Sequence, residues 1–387
     1  MNKRLERKIR YGMVGGGPGS FIGNVHRMAA ALDGEIELVA GAFSSDPEKS
    51  RQRGEEWFLD PNRVYGSYQE MAEKESSLPL SERLDFISIV TPNHTHYEIA
   101  KTFVNANFNV ICDKPMVNTV AEAEELVNLV REKNQYFCVT HNYVGYPMVK
   151  EARHLVRRGK VGNVRKVVVE YQQGWLANLI EATGSKQAIW RTDPQQAGVS
   201  SCIGDIGSHA ENLVEYITGL KIKSVFADLT TFVEGRLLED DASVLLRFNN
   251  GAKGVLLASQ ICVGEENNLN IRVYGDLGSL EWHQEEPNKL WIKYSDRPSE
   301  LIRRGNDYVG GYNTSYFTRL PAGHPEAFIE AFANLYRSFA RTIRAWHESR
   351  VPELKDFDYP KVEDGCRGVI FIHKVIESGK TGKWVDL

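Results

Sequence analysis

The opening of the chain combines an apolar segment, a glycine-rich turn and an amphipathic stretch, and this combination restricts the fold more than any other feature. Ile9–Val14 is apolar and runs directly into Gly15-Gly16-Gly17-Pro18-Gly19, with a further glycine at Gly23. The apolar residues that follow recur at helical spacing. Glycine lets a backbone approach a phosphate, and the free N–H groups at a helix start attract the anion. The order is typical of a nucleotide-binding domain, although a single glycine turn is a weak signal and this one is about three residues longer than usual.

Four further strand-like segments follow within the first domain, separated by helical patterns. They are Ile36–Phe43, Phe86–Val90, Phe108–Cys112 and Tyr136–Thr140. The helix before the last of them opens with a capping box, Thr119-Val120-Ala121-Glu122. Strands that alternate with helices at this spacing predict a parallel sheet covered on both faces. We therefore expect a doubly wound Rossmann domain over residues 1–142.

The pattern of predicted secondary structure changes after an amphipathic helix that ends near Gly159. Long strand-like segments then follow one another: Val164–Tyr171, Ile222–Leu229, Ala242–Phe248, Gly254–Ile261, Leu269–Tyr274 and Leu290–Tyr294. Turn signals separate several of them. This succession predicts a large, mostly antiparallel open sheet with helices on one face. The expected fold is thus an α/β domain over 1–142 followed by an α+β domain over 143–387.

Composition argues against several classes of function. The formal net charge of -4 and the pI near 6.2 give no reason to expect nucleic acid or a membrane surface as a partner. No apolar run approaches the ~20 residues that cross a bilayer, and no apolar region of a secretory signal follows the basic N-terminus. Five cysteines without a CxxC pair fit a reducing compartment. We expect a soluble cytoplasmic protein.

The end of the second strand bears on the choice of cofactor. In the NAD fingerprint an acidic residue often closes this strand and holds the ribose diol. Ser44 and Ser45 occupy that position here, and Asp46 lies just beyond them. Lys49 and Arg51 are within reach of a 2′-phosphate, so NADP is not excluded, and Asp46 is at least as well explained as a helix start. We expect NAD, with NADP left open.

The loop after the third strand, Thr91-Pro92-Asn93-His94-Thr95-His96, follows a buried strand end. The carboxyl ends of strands in an open α/β sheet border the ligand crevice. His94 and His96 lack a third ligand at a suitable spacing, so no metal site is predicted. We expect instead a loop that contacts the nicotinamide side of the cofactor.

The fourth strand ends in Asp113-Lys114-Pro115, where the proline stops the strand. A lysine at this edge of the sheet can point its ammonium group into the cofactor crevice. Taken alone, the pattern more often marks an ordinary surface lysine. The candidate residues at the neighbouring strand ends favour the functional interpretation.

A second motif, Gly204-Asp205-Ile206-Gly207-Ser208-His209, leads into a helical pattern. If the helix has begun by Asp205, the carboxylate and the imidazole of His209 lie on one face. A carboxylate bonded to one ring nitrogen leaves the other free to accept a proton. The alternative is an N-terminal cap followed by a partly exposed histidine, which is commoner for this pattern in isolation.

Several aromatic and polar residues are candidates for the substrate side of a site. Trp175, Trp190 and Arg191 form either ordinary core packing or a wall that binds hydroxyl groups. His324 precedes a long predicted helix from Glu326 to about Trp346, and it either faces the site or caps that helix.

Together these motifs resemble the glucose–fructose oxidoreductase / inositol dehydrogenase / MocA family almost end to end. The similarity runs through the glycine turn, Thr91-Pro92-Asn93-His94, Asp113-Lys114-Pro115, Trp190-Arg191-Thr192-Asp193-Pro194, Gly204–His209 and the closing Val362-Glu363-Asp364-Gly365. The chain departs from the family in its long glycine turn and in Asp113, where Glu is usual. The resemblance implies a two-domain NAD(P)-dependent dehydrogenase of sugars or cyclitols. It also implies a homodimer or homotetramer that assembles through the C-terminal sheet.

The resemblance assigns roles residue by residue. The family's catalytic lysine, aspartate and histidine match Lys114, Asp205 and His209. His209 would accept the hydroxyl proton, Asp205 would orient it, and Lys114 would hydrogen-bond the reacting oxygen. The implied cofactor contacts are Gly15, Gly17, Gly19, Phe21, Ile22, Ser44, Ser45, Lys49, Thr91, Pro92, Asn93, His96, Asp113 and Lys114. The implied substrate contacts are Lys114, Tyr143, Trp175, Arg191, Asp205, His209 and His324.

The expected substrate is an uncharged cyclic polyol or sugar, such as scyllo- or myo-inositol or a pyranoside. The net charge and the lack of a dense arginine cluster favour an unphosphorylated compound. Three alternatives stay open: an NAD-dependent glycosidase that oxidises its substrate transiently, a cofactor-sensing regulator without catalysis, and a reductase that runs the reaction backwards.

Overall fold

A computed structural model describes residues 5–310 and 314–387, and these form two compact units. The first unit contains the chain up to Asn142 together with residues 332–366. The second contains residues 143–331 and 367–387. The segment 332–366 thus groups with the first unit, whereas the division expected from the sequence assigns it to the second.

The first unit alternates strands and helices along the chain. Its strands are β1 (Ile9–Gly15), β2 (Ile36–Ala42), β3 (Phe86–Val90), β4 (Asn109–Cys112) and β5 (Phe137–Val139). Its helices up to residue 142 are α1 (Phe21–Ala31), α2 (Pro47–Glu56), α3 (Tyr68–Ser77), α4 (His96–Asn105) and α5 (Val120–Glu132). The predicted capping box is confirmed, because Thr119 and Glu122 exchange side-chain bonds at the start of α5.

The strands of the first unit form a parallel sheet in the order β2-β1-β3-β4-β5. The strand order reverses at β1, whose neighbours are β2 and β3. Ligands of open α/β sheets bind beyond the carboxyl ends of the strands at such a switch point. The doubly wound fold predicted from the sequence is confirmed.

The second unit carries the larger sheet. Its helices are α6 (Pro147–Arg157), α7 (Lys186–Thr192), α8 (Pro194–Ala197) and α9 (Ser208–Thr218). Its strands are β6 (Val164–Gln172), β7 (Ile222–Thr230), β8 (Asp241–Phe248), β9 (Lys253–Ser259), β10 (Asn268–Gly275), β11 (Gly278–His283), β12 (Lys289–Tyr294), β13 (Glu300–Arg303) and β14 (Val385–Asp386).

These strands follow the order β13-β12-β11-β10-β6-β9-β8-β7-β14. Their pairing is antiparallel except for β6 and β9, which are parallel. The predicted mostly antiparallel sheet is confirmed. The strand expected over Gly254–Ile261 is observed as Lys253–Ser259.

Two long helices, α10 (Phe328–His347) and α11 (Val362–Thr381), complete the described fold. Residues of α10 pack on the first sheet, which explains why 332–366 group with that unit. The Tyr336 hydroxyl lies 2.7 Å from Ser88 Oγ on β3, and the Phe339 ring meets the Phe86 ring at 5.4 Å between centroids.

A buried carboxylate fixes the beginning of the first unit. Asp85 accepts hydrogen bonds from Arg7 (2.6 and 3.0 Å), from the backbone N–H of Arg10 (2.7 Å) and from His347 (2.6 Å). Burial alone raises the pKa of Asp85, but these bonds outweigh burial and hold the pKa below its ordinary value. The cluster joins β1, the entry to β3 and the end of α10.

Within the described residues, no helix combines the length and the apolar character that a membrane span requires.

Candidate active site

The glycine turn after β1 is closely packed on its neighbours. Gly15 has a φ of +92°, which favours glycine, and a Cβ there would lie 2.7 Å from the carbonyl oxygen of Val90. A Cβ on Gly17 would lie 2.8 Å from the carbonyl oxygen of Phe43. The turn ends at Ser20, whose hydroxyl caps α1. A bare backbone against a helix N-terminus fits the pyrophosphate of a dinucleotide.

The other predicted contacts in this turn are more open. Gly19 has a φ of +80° and nothing near its Cβ position, while the Phe21 side chain is 64% exposed and that of Ile22 is half-buried. Arg53 holds the turn from the other side, since its Nη2 donates to the carbonyl of Gly17 at 2.8 Å.

The residues after β2 form the start of α2. Asp46 accepts from the backbone N–H groups of Glu48 (3.0 Å) and Lys49 (3.5 Å), so its interpretation as a helix start is correct. The bond from Glu48 lowers the pKa of Asp46. The ammonium of Lys49 lies 3.5 Å from Asp46, and Arg51 pairs with Glu48. Both cations near the expected 2′-phosphate position are therefore balanced by acids at the start of α2, the N-cap Asp46 and Glu48 in the first turn.

His96 connects the loops that follow β3 and β4. Its Nδ1 lies 2.9 Å from the carbonyl of Pro115, and its Nε2 lies 2.8 Å from the carbonyl of Thr91. The ring is fully buried, and burial lowers its pKa. The structure thus engages both ring nitrogens within the protein, although the sequence suggests His96 as a direct cofactor contact. No group of three or more metal-ligating side chains occurs in residues 5–310 and 314–387.

The Asp113-Lys114-Pro115 segment follows β4 at the same edge of the sheet. Asp113 accepts from the Thr140 hydroxyl at 2.6 Å, and its backbone N–H donates to the carbonyl of Ile89. Lys114 is half-buried. Its charge acts on His141, whose pKa falls to about 3, first through burial and then through Lys114.

Two buried histidines near this segment escaped the sequence analysis. His141 follows β5 at the carboxyl edge of the sheet, a position from which it could have been found. His26 lies on the buried face of α1, where no sequence signal distinguishes it. Its Nδ1 is 2.7 Å from the Tyr336 hydroxyl, its Nε2 is 3.9 Å from Asp113, and burial lowers its pKa to about 4.

In the second unit, a turn of π-helix over Ile203–Gly207 leads without interruption into α9. Asp205 therefore lies within the helical turn and one turn before His209, not at an N-terminal cap. His209 is only 7% exposed, contrary to the alternative of a partly exposed histidine. Single turns of π-helix are frequent at functional sites. Buried Glu239 fixes this segment by accepting bonds from Ser200 and from the backbone of Ile203.

The Asp205 carboxylate has two side-chain donors on its Oδ2. Arg191 Nε lies at 3.1 Å and Gln260 Nε2 at 2.9 Å. The Arg191 guanidinium also lies over the rings of Trp190 (4.1 Å) and Trp175 (5.7 Å). Arg191 thus serves Asp205, a contact that the sequence did not indicate, and Gln260 is a site residue that the sequence analysis missed.

Tyr143 and Trp175 belong to one hydrogen-bonded network beside His209. The Tyr143 and His209 rings meet at 4.7 Å between centroids and 77° between planes. Three residues missed from the sequence complete the network: Tyr171, Gln173 and Asn267. Tyr171 lies near the end of β6 and Gln173 follows directly after the strand, two positions later, so strand periodicity could have placed them on one face.

The structure corrects the expectation for His324. Glu326 accepts from Arg304 (2.9 Å) and from two backbone N–H groups of the preceding loop, so it does not start the helix. The helix begins only at Phe328, and His324 lies exposed in the loop, where its carbonyl accepts from Arg304. The expected helix start next to His324 is wrong.

Comparison with known families matches both parts of the chain. Residues 9–141 match the family described as "Oxidoreductase family, NAD-binding Rossmann fold". Residues 149–281 match the GFO/IDH/MocA C-terminal domain.

Individual relatives agree with this match. The uncharacterized oxidoreductase YfiI of Bacillus subtilis is 34% identical over 99% of this chain and 98% of its own length. An inositol dehydrogenase homolog from Azotobacter vinelandii is 34% identical and covers 100% of this chain and 99% of its own. It has TM-scores of 0.92 with NAD+ bound and 0.90 with NADH and myo-inositol bound. A levoglucosan dehydrogenase of Pseudarthrobacter phenanthrenivorans is 25% identical over 98% of both chains.

The first unit thus carries an NAD-binding Rossmann domain, and its packed glycine turn fits that cofactor. The resemblance inferred from the motifs is confirmed over nearly the whole chain. The protein is an oxidoreductase and belongs to the Gfo/Idh/MocA family.

Proposed function

We propose that the protein is an NAD(P)-dependent dehydrogenase that oxidises a secondary hydroxyl of an uncharged cyclic polyol or sugar to a ketone. The observation that carries this proposal is the Asp205–His209 pair on one helical turn. It is flanked by tyrosines and amides, and its carboxylate is already bonded to Arg191 and Gln260. A buried imidazole one helical turn after a carboxylate that two donors fix is suited to general-base chemistry.

The chain's own residues account for the proton and for the charge on oxygen. His209 accepts the hydroxyl proton, and Asp205 stabilises the resulting imidazolium. Lys114 donates a hydrogen bond to the substrate oxygen as negative charge develops there. General-base catalysis is worth about 10²–10⁴-fold, and one donor to a developing oxyanion roughly 10²–10³-fold.

The residues that would hold the dinucleotide are those at the carboxyl edge of the first sheet. Gly15 and Gly17 would admit the pyrophosphate, Ser44 and Ser45 would face the adenosine ribose, and Thr91, Pro92 and Asn93 would border the nicotinamide. NAD, when bound, supplies the acceptor for the hydride that leaves the carbinol carbon. NADP stays an alternative, since Lys49 is close to the ribose-binding edge.

The charge balance around His209 supports an uncharged substrate. The guanidinium of Arg191 is bonded to Asp205, and the network beside His209 consists of neutral hydroxyls and amides. A phosphate ester would place uncompensated charge there, which is costly in a partly buried site. Two relatives, an inositol dehydrogenase homolog and a levoglucosan dehydrogenase, support inositols and pyranosides as first candidates.

Location and assembly are part of the same proposal. All five cysteines are free, which supports a cytoplasmic location. We propose a homodimer or homotetramer built through the C-terminal sheet, with neither nucleic acid nor a membrane as partner.

The test is an initial-rate survey at the absorbance band of reduced nicotinamide. NAD and NADP are supplied in turn against inositols, hexoses, methyl glycosides and hexose phosphates, with His209→Gln as the matched inactive variant. We expect one cofactor and one class of uncharged polyol to give a rate at least about 100-fold above that variant. A flat panel from a protein that still binds NAD would contradict a dehydrogenase and favour the glycosidase or the sensor.

A further inference from the structure

Three side chains beside His209 form a closed ring of hydrogen bonds. The hydroxyls of Tyr143 and Tyr171 lie 2.5 Å apart, and the Tyr171 hydroxyl lies 2.7 Å from Asn267 Oδ1. Asn267 Nδ2 lies 3.1 Å from the Tyr143 hydroxyl and closes the ring. Both tyrosines are buried, whereas Asn267 is half-buried.

A neighbouring tryptophan fixes the direction of every bond in this ring. The indole N–H of Trp175 can only donate, so the atom of Gln173 at 3.0 Å is its carbonyl oxygen. The Gln173 amide then turns its NH₂ group to Asn267 at 2.9 Å, which identifies the contacted atom as Asn267 Oδ1. The remaining amide nitrogen of Asn267 consequently donates to Tyr143.

The hydroxyl protons follow from this assignment. The Tyr171 hydroxyl donates to Asn267 Oδ1, so its oxygen accepts the proton of Tyr143. Both hydroxyl protons are therefore used within the ring. Burial raises the pKa of each tyrosine, so both remain neutral phenols in neutral solution. The Tyr143 hydroxyl therefore has no proton left to donate to a substrate, and the substrate contact that the resemblance implies for Tyr143 stays a prediction.

What Tyr143 presents to the site is its ring. The ring stands nearly perpendicular to the imidazole of His209, with 4.7 Å between centroids, which is direct contact. The hydroxyl end of Tyr143 cannot move without breaking two bonds of the ring. The imidazole of His209 therefore packs against the ring of Tyr143, which hydrogen bonds fix at its hydroxyl end.

We propose that Asn267, acting through Tyr143 and Tyr171, is a positioning residue that holds the imidazole of His209 in its reactive orientation. This role rests on the proposed function, in which His209 is the general base. The three side chains act as one unit, because the loss of any member removes two of the three bonds of the ring.

Kinetics of substituted proteins test the role. Asn267→Leu and Tyr143→Phe should each lower kcat roughly 10- to 100-fold, as misplacement of a reacting group does, with the Kd for NAD unchanged. The double variant should be no slower than the slower single variant. Asn163→Leu is the matched control, since Asn163 bonds Asp276 elsewhere in the same unit, and it should retain kcat. A kcat within twofold of wild type for Asn267→Leu, or additive losses in the double variant, would overturn the proposal.

A pH measurement separates positioning from a general structural role. Asn267→Asp removes the N–H donor and adds a negative charge behind Tyr143, which stabilises a protonated His209. The pKa of His209 should therefore be higher in this variant, and the acid limb of the kcat/KM profile should move to higher pH by about 0.5 unit or more. An acid limb at the same pH as in wild type would overturn the proposed link between Asn267 and His209.

The imidazole can also be observed when no substrate is turned over. The ¹⁵N signals of His209, identified by their loss in His209→Gln, should titrate at a higher pH in Asn267→Asp than in wild type. A shifted titration without dehydrogenase activity would refute the proposed function and retain the positioning network. An unshifted titration in an active enzyme would refute the network alone.

Discussion

Substitution of Gln260 tests most sharply how the carboxylate of Asp205 is held one helical turn before His209, the proposed base. Gln260 is fully buried, and its Nε2 donates to Asp205 Oδ2 at 2.9 Å, while its Oε1 has no hydrogen-bond partner among the described residues. Gln260→Leu preserves the volume and removes both groups. The bond to a charged acceptor is worth about 1.5–3 kcal/mol, and an unsatisfied buried carbonyl costs about 1–3 kcal/mol. We therefore expect the free energy of unfolding to change by less than about 1 kcal/mol.

Catalysis by the same variant should respond much more strongly. If the lost bond is expressed in the transition state, 1.5–3 kcal/mol corresponds to a loss of about 10- to 100-fold in kcat. The assays are initial rates of NADH formation and urea unfolding at one pH. Gln284→Leu is the matched control, because Gln284 also has one donated bond, to Tyr146, and an Oε1 without a partner among the described residues. A Gln260→Leu enzyme that keeps kcat within twofold, or that loses kcat only as much as the control, would refute the reasoning.

Three further outcomes are expected from the same structure. Lys114→Ala and His209→Ala should each lower kcat at least about 100-fold while fluorescence titration finds NAD binding intact; retention of near-normal kcat would contradict their roles. Gly17→Ala should weaken NAD binding roughly tenfold or more, because its Cβ would lie 2.8 Å from the carbonyl of Phe43; an unchanged Kd from calorimetry would show that the turn adapts. Asp85→Asn should destabilise the fold by about 3 kcal/mol at pH 7. Because the pKa of Asp85 is lowered by folding, that stability is present above its unfolded pKa and is lost as the pH falls through the folded pKa; a pH-independent difference in urea unfolding between pH 7 and pH 3 would contradict this.

The sequence predicts the first sheet well because its signals are local. Buried parallel strands are continuous apolar runs, and the capping box and the glycine turn mark helix starts by residue type alone. The strand expected over Ile36–Phe43 is observed as Ile36–Ala42, and that over Phe108–Cys112 as Asn109–Cys112. The ends of the strands, and with them the position of Lys114 just after β4, could therefore be predicted at the carboxyl edge of the sheet.

Contacts between distant segments are what the sequence could not supply. Asn267 binds Gln173 across 94 positions of sequence, and Gln260 meets Asp205 across 55. Neither pairing has a periodic pattern, since each depends on how segments that are distant in sequence meet in the fold. The same holds for His26, which reaches Tyr336 from the opposite end of the chain.

Competition for polar groups explains two contacts that the sequence does not indicate. The guanidinium of Arg191 bonds the Asp205 carboxylate, which is a strong partner for it, and the expected contact of Arg191 with substrate hydroxyls stays a prediction. Glu326 was expected within a helix, but the backbone N–H groups of the preceding loop and Arg304 bind it first.

The most direct test of the central claim is the stoichiometry of oxidation with the best polyol of the survey. NADH is counted by absorbance and the ketone by mass spectrometry in the same reaction mixture. A dehydrogenase that uses His209 as base forms one NADH for each ketone, and His209→Gln forms neither at a comparable rate. Consumption of the substrate without accumulation of NADH would contradict the account.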